Sequence, residues 1–182
     1  MIVKNPRINA DFDRLVSAAR RGDEAALAEL VRLTQNRLFR FCVYLCAHRD
    51  FAQDLCQETY LKAFKSLDSL QNPAVFLDWL FRIAKNLYLD SVRAQKTPDD
   101  LLPYEPNTDE GETPQVQTAI AVQEVLSQFE PEDRMLLIFV EIEERSYSEA
   151  AELLSVSEDA VRSRLHRLRK QFLEKWNKVE TK

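Results

Sequence analysis

Tyr147–Lys170, YSEAAELLSVSEDAVRSRLHRLRK, reads as two short helices joined by a tight turn, the second basic on its outer side. Ser146 and Glu149 have the S-x-x-E spacing of a capping box, in which each residue's side chain satisfies the other's orphan backbone N–H, so a helix should start near Tyr147. Ala150, Ala151, Leu153 and Leu154 give that helix its apolar face, and Ser155-Val156-Ser157 breaks it. Ser157 is a natural N-cap for the next helix, and Glu158 and Asp159 in its first turn complement the helix dipole. At about 100° per residue, Val161, Leu165, Leu168 and Phe172 fall in one narrow stripe. Asp159, Ser163, His166, Arg167 and Lys170 fall opposite, with Arg162, Arg164 and Arg169 on the flanks. An apolar inner stripe under an Arg/Ser/His outer face suits a helix laid in the major groove, where Arg pairs bidentately with guanine edges and other cations hold phosphates. The competing interpretation is a merely solvated face. Cations almost unmixed with acids from Arg162 to Lys170, preceded by a capped helix and turn, favour DNA. Such turns often carry Gly; Ser155 stands there instead, which weakens the motif taken alone without forbidding it, since a non-Gly residue in the left-handed region is strained rather than impossible.

The 182 residues suffice for one ordinary domain or two small ones. With only 2 Gly, 45% hydrophobic residues and long 3.6-periodic runs, the expected class is all-α, and nothing alternates as a strand does. The start, MIVKNPRINADFDR, has no apolar segment of a signal peptide, and no apolar run approaches membrane-spanning length, so a cytoplasmic protein without membrane insertion is expected. The net charge of −5 hides a strong asymmetry: residues 1–98 carry +4, 99–161 carry −15 and 162–182 carry +6. Basic ends around an acidic middle make the net value a poor guide to partners. Cys42, Cys46 and Cys56, with His48 nearby, match no common zinc spacing; Cys42 and Cys46 sit one turn apart in an apolar helix as small hydrophobes. No metal or other cofactor is expected.

In chain order, a first amphipathic helix spans about Ala10 to Arg21, ended by Gly22, and Asp23 caps a second that runs from Glu24 to about Ala47. A third, Phe51 to about Leu67, turns Ala52, Leu55, Cys56, Thr59, Tyr60, Ala63 and Phe64 inward. Asp54, Gln57, Glu58, Leu61 and Lys65 project outward, and Leu61 is an apolar side chain within a polar face. It is either an ordinary exposed Leu or the centre of a docking patch with a polar rim, and periodicity alone does not choose. Asn72 and Pro73 start a fourth helix with a core stripe of Phe76, Leu80, Ile83, Ala84 and Leu87. Arg82, Lys85, Asn86, Arg93 and Lys96 form a basic, amide-bearing flank beside Trp79, Phe81 and Tyr88, a pattern that can follow phosphates and stack unpaired bases, although aromatics at helical spacing are more often core. From Thr97 to Pro114 periodicity gives way to Pro, acids and Gly111, an extended acidic linker. Two further amphipathic helices, Gln115 to about Phe129 and Pro131 to about Glu144, complete a four-helix C-terminal domain. The expected domains are thus 8–96 and 115–178, joined by 97–114.

Three stretches together resemble the sigma-70 family of bacterial transcription initiation factors, in its short extracytoplasmic-function group with only regions 2 and 4. DLCQETYLKAF (Asp54 to Phe64) is similar to region 2.2, WLFRIAKNLYLDSVR (Trp79 to Arg93) to regions 2.3 and 2.4, and Tyr147 to Lys170 to the region 4.2 helix-turn-helix. The resemblance implies a sigma factor that binds core RNA polymerase and helps melt promoters, in a stress or envelope response. It implies that Asp54, Gln57, Glu58 and Leu61 dock on the β′ clamp helices, with the β flap a second contact. The loop Leu67 to Leu77, with Gln71 and Asn72, would pocket a flipped base of the −10 element, and Arg82, Lys85, Asn86 and Arg93 would contact −10 DNA. Arg162, Ser163, His166, Arg167 and Lys170 would read or anchor the −35 element. The acidic linker would thread toward the RNA exit path, and an anti-sigma factor would cover the polymerase-binding faces. Ser155 in place of the turn Gly, and Ala160 where Thr is frequent, are departures from the family pattern. Two other classes compete with this assignment: a stand-alone helix-turn-helix regulator, and an adaptor that binds polymerase without reading promoters. An enzyme is disfavoured, since no phosphate loop, metal quartet or nucleophile-base set is visible and His48 and His166 are the only histidines.

Overall fold

The computed structural model describes residues 6–46, 48–94 and 114–180, and among these every regular element is helical. In order they are α1 (Pro6–Arg20), α2 (Glu24–Cys46), α3 (Arg49–Lys65), two 3₁₀ turns (Leu67–Ser69 and Pro73–Val75), α4 (Phe76–Arg93), α5 (Pro114–Ser127), α6 (Pro131–Leu137) running into a π turn (Ile138–Ile142), α7 (Tyr147–Leu154) and α8 (Glu158–Glu180). The chain divides into two compact units. Among the described residues, 6–42 and 53–94 make the first, and 43–46, 48–52 and 114–180 the second. The expected linker lies outside the described residues except for Pro114, which begins α5.

In the first unit, local chemistry sets the α1–α2 turn where the sequence placed it, whereas α1 begins at Pro6, ahead of the expected Ala10, and α3 spans Arg49–Lys65 rather than Phe51 to about Leu67. Gly22 takes φ +86°, which a side chain would oppose. Asp23 Oδ1 then accepts from the N–H groups of Ala25 (2.9 Å) and Ala26 (3.1 Å), capping α2. Leu30, Leu38, Phe41 and Cys42 are fully buried on α2; Leu55, Cys56, Thr59 and Ala63 are buried on α3. A polar pair crosses between them: Thr34 Oγ1 donates to Leu30 O at 2.7 Å and lies 2.8 Å from Tyr60 Oη. The start of α4 differs from expectation. Asn72 Oδ1 does act as a cap, accepting from Ala74 N at 3.1 Å, but Pro73–Val75 is a 3₁₀ turn and the α-helix begins at Phe76. Phe76 is itself wholly buried, 5.7 Å from the Phe12 ring, and that contact fixes where the helix enters.

The buried face of α4 is also rotated from the expected stripe. Phe76, Leu80 and Ala84 are buried as expected, but Leu77, Phe81 and Tyr88 join them while Ile83 and Leu87 are only half-buried. Phe81 is the cause, because its ring packs 4.8 Å from Phe41 of α2 in the middle of the core. Phe81 and Tyr88 are therefore core residues and cannot stack on nucleic acid bases.

In the second unit, α6 is the central helix: Met135, Leu136 and Leu137, with Ile138, Phe139 and Val140 of the π turn, are all buried. Burial all round marks a helix enclosed by its neighbours, and α7 and α8 both pack on it. Buried Arg134 donates to the carbonyls of Leu126 (2.9 Å), Ser127 (2.8 Å) and Phe129 (3.2 Å), which closes the α5–α6 turn without orphaning its backbone. Sequence periodicity suggests one helix from Pro131 to about Glu144. The α-helix instead ends at Leu137, and the wider π turn, with Glu143 N donating to Ile138 O at 3.0 Å, leads to Glu144 at φ 53°.

Candidate nucleic-acid interface

The capping box is complete. Glu149 N donates to Ser146 Oγ at 3.2 Å, and Ser146 N donates to Glu149 Oε2 at 2.9 Å. The turn that follows forces Ser155 into the left-handed region, φ 59° and ψ 43°, while Val156 N donates to Ala151 O at 3.0 Å and satisfies a terminal carbonyl. Ser157 Oγ accepts from Ala160 N at 3.2 Å and starts α8. Val161, Leu165 and Leu168 are fully buried, and Phe172 is half-buried in a stack with Phe129 and Trp176.

The cations of α8 divide into two sets. On one flank, the Arg164 guanidinium pairs with Asp133 through Nε and reaches Glu132 Oε2 at 3.5 Å. On the other, Arg169 donates to Glu141 Oε1 through Nε at 2.9 Å and to Tyr147 Oη at 3.1 Å, its guanidinium 6.0 Å from the Tyr147 ring. The bonds from Glu141 first, and then Tyr147, raise the pKa of Arg169 above its usual range. Between these tethered flanks, Ser163, His166, Arg167 and Lys170 are exposed, within about 100° of arc. Arg162, also exposed, joins them, 3.4 Å from Glu158 one turn earlier. Local spacing does not reveal the tethers, because their partners lie 22 to 32 residues away in sequence.

The sites expected in the first unit fall on two surfaces. On α3, Asp54, Gln57 and Glu58 are exposed around Leu61, an apolar side chain 60% exposed. On α4, Arg82, Asn86 and Arg93 are exposed directly opposite the buried stripe, Lys85 is at its edge, and Arg93 lies 3.2 Å from Asp90. Trp79 is half-buried with its ring 6.1 Å from Phe76. Gln71 and Asn72 are exposed in the loop between the two 3₁₀ turns, next to the start of α4. Lys96 lies outside the described residues.

The cysteines stay within the packing. Cys42 and Cys56 are buried and Cys46 is half-buried, with desolvation pushing the Cys46 thiol up. Among the described residues no group of three or more His, Cys, Asp or Glu could hold a metal ion, and no helix is long and apolar enough to cross a membrane.

Known proteins share both halves of this arrangement. Residues 30–97 match the family Sigma-70 region 2, and residues 119–172 match Sigma-70, region 4. The ECF RNA polymerase sigma factor SigM of Mycobacterium tuberculosis is 32% identical over 171 residues, covering 91% of this chain and 83% of SigM. The chain belongs to the ECF RNA polymerase sigma factors. Another relative, the ECF RNA polymerase sigma factor SigE of Mycolicibacterium smegmatis, is 35% identical over 162 residues, covering 83% of this sigma factor and 63% of SigE's own length. The sigma factor RpoE of Bartonella quintana, solved in complex with the anti-sigma factor NepR, has the same fold, with a TM-score of 0.69 at 22% identity over 82% of this chain and 96% of that one. In this sigma factor the region 2 match contains α3, the exposed loop and α4, and the region 4 match contains α6, α7 and the basic part of α8.

Proposed function

We propose that this sigma factor binds core RNA polymerase, recognises the −35 and −10 promoter elements and helps open the duplex, with each recognition step assigned to named side chains. The observation that carries the assignment is the division of cations on α8. Arg164 and Arg169 are held by acids of the same unit, leaving Arg162, Ser163, His166, Arg167 and Lys170 as a compact polar face for the −35 major groove. A merely solvated face needs no such sorting.

In region 2, exposed Leu61 with its rim of Asp54, Gln57 and Glu58 is the docking patch for the β′ clamp helices, and region 4 makes a second contact with the β flap. An exposed Leu centred in charged and amide groups has the apolar-core, polar-rim anatomy of an interface. Gln71 and Asn72 read a flipped −10 base, while Arg82, Lys85, Asn86 and Arg93 follow the DNA backbone and non-template strand along α4. The functional domains are 8–96 and 115–178, with 97–114 as the acidic linker. The chain supplies promoter selection and no catalysis of its own, works in the cytoplasm in a stress or envelope response, and is held in check by an anti-sigma factor covering its polymerase-binding faces.

The test is run-off transcription by bacterial core polymerase on a pool of promoter fragments, with and without this protein. Transcripts with defined start sites that require the protein establish the activity and reveal both elements. Tight binding to duplex operators without polymerase, and no dependent transcript, would instead support a stand-alone regulator.

A further inference from the structure

The loop that carries Gln71 and Asn72 is held by a residue far from it in sequence. Arg20 is the last residue of α1, and its guanidinium reaches into the first 3₁₀ turn. Nη2 donates to Leu67 O at 3.1 Å and to Leu70 O, Nε donates to Leu67 O at 3.3 Å, and Nε lies 3.8 Å from Asp68 Oδ1. The side chains of Leu67 and Leu70 are buried, so their carbonyls mark the fixed inner edge of the loop, and Gln71 and Asn72 stand exposed immediately beyond it. On the far side, Asn72 Oδ1 caps the second 3₁₀ turn, and that turn packs on α1 beside the Phe12–Phe76 contact. Helix α1 thus grips both ends of the two-residue exposed segment.

We propose that Arg20 is a positioning residue for −10 recognition: by clamping the carbonyls of Leu67 and Leu70 it fixes the path on which Gln71 and Asn72 meet the base, without itself touching DNA. The inference rests on the assignment of Gln71 and Asn72 to the −10 element. Arg suits the task because its planar guanidinium presents several N–H donors in a fixed fork and can serve two carbonyls at once, whereas a Lys ammonium is a single flexible point charge. Hydrogen-bond readout of a base requires donors and acceptors placed within a fraction of an ångström, so releasing one edge of so short a segment blurs selection before it affects anything else.

The experiment is run-off transcription by core polymerase with the full chain on a promoter library randomised at the −10 and −35 elements, with transcripts sequenced. Arg20→Met removes the donors and keeps most of the stem; Arg20→Lys tests the fork, Gln71→Ala and Asn72→Ser test the readers, and Trp79 fluorescence on heating checks that the first unit is folded. Arg20→Met is expected to reduce discrimination at the −10 position that Gln71→Ala or Asn72→Ser affects by at least about threefold, with −35 preference and polymerase affinity unchanged. Arg20→Lys should restore only part of it. Wild-type −10 preference in Arg20→Met, alongside an altered preference in either reader variant, overturns the positioning role. So does an equal loss at both elements, which would mean general destabilisation. If both reader variants keep the wild-type preference, the loop assignment itself fails and the inference falls with it.

Discussion

Replacing Ser155 by Gly should stabilise the region 4 unit, although it adds no contact. Ser155 sits at φ 59° and ψ 43°, where a Cβ crowds the backbone at a cost of about 1–2 kcal/mol. Glycine removes that cost but loses more freedom on folding, which offsets about 0.5–1 kcal/mol. Ser155 is exposed, and the turn's hydrogen bonds, Ser155 N to Glu152 O at 3.4 Å and Val156 N to Ala151 O at 3.0 Å, are backbone bonds that glycine retains. The expected net gain is therefore about 0.5–1 kcal/mol, or roughly 3–6 °C in the midpoint of a unit this small. The two tryptophans make this measurable, since Trp79 lies in the first unit and Trp176 in the second. In a Trp79→Phe background, fluorescence reports only Trp176, stacked on Phe172 in the packing of α8. Thermal unfolding of Ser155→Gly in that background should show the rise, and Ser155→Ala should stay near the parent. An unchanged or lowered midpoint for Ser155→Gly would refute the strain argument.

Leu61→Ala should leave the thermal midpoint within error, because an exposed side chain away from caps and core changes stability by less than about 0.5 kcal/mol. Its affinity for core polymerase, read in a binding titration, should fall by about tenfold or more if Leu61 is a hot spot; an unchanged affinity would remove the docking role. Arg162→Ala should cost about 1–3 kcal/mol of −35-dependent initiation if it contacts a base, and Arg167→Ala should reduce the salt dependence of DNA binding by about one unit of slope if it contacts phosphate. Arg164→Ala, by contrast, should leave −35 preference intact and lower the region 4 midpoint, since Arg164 pairs with Asp133 inside the unit. Burial raises the Tyr60 phenol from 10 to about 12, while its bond to Thr34 works in the opposite direction. A phenol held neutral by the fold stabilises fully below its unfolded pKa of about 10, and that contribution is lost as pH rises through 10 toward 12. Alkaline unfolding should therefore show a stability loss in that window that is smaller in Tyr60→Phe.

The sequence alone was enough for whatever depends on near neighbours. Gly22 and Asp23 at the α1–α2 turn, the Ser146–Glu149 capping box, the Ser157 cap and the α8 core stripe are interactions within about four residues, where helical geometry leaves little choice. The left-handed turn at Ser155 was legible for the same reason. The outward set on α3 and the basic face of α8 followed from periodicity, and three family-like stretches carried the resemblance that the comparisons bear out. Tertiary packing decided the rest. The rotation of the α4 core toward Phe81 depends on Phe41, 40 residues away, and the π turn after α6 belongs to a segment enclosed on all sides. Arg162 and Arg164 read alike as flanking cations in the sequence, yet Arg164 is tied to Asp133 of α6 while Arg162, paired with Glu158 one turn earlier on its own helix, stands exposed beside Ser163, His166 and Arg167. The grip of Arg20 on Leu67 and Leu70 spans 47 and 50 residues and leaves no periodic trace. Local pattern can set a helix and its faces, but which polar side chains are tethered and which stay exposed depends on acids and carbonyls that only the folded chain brings within reach.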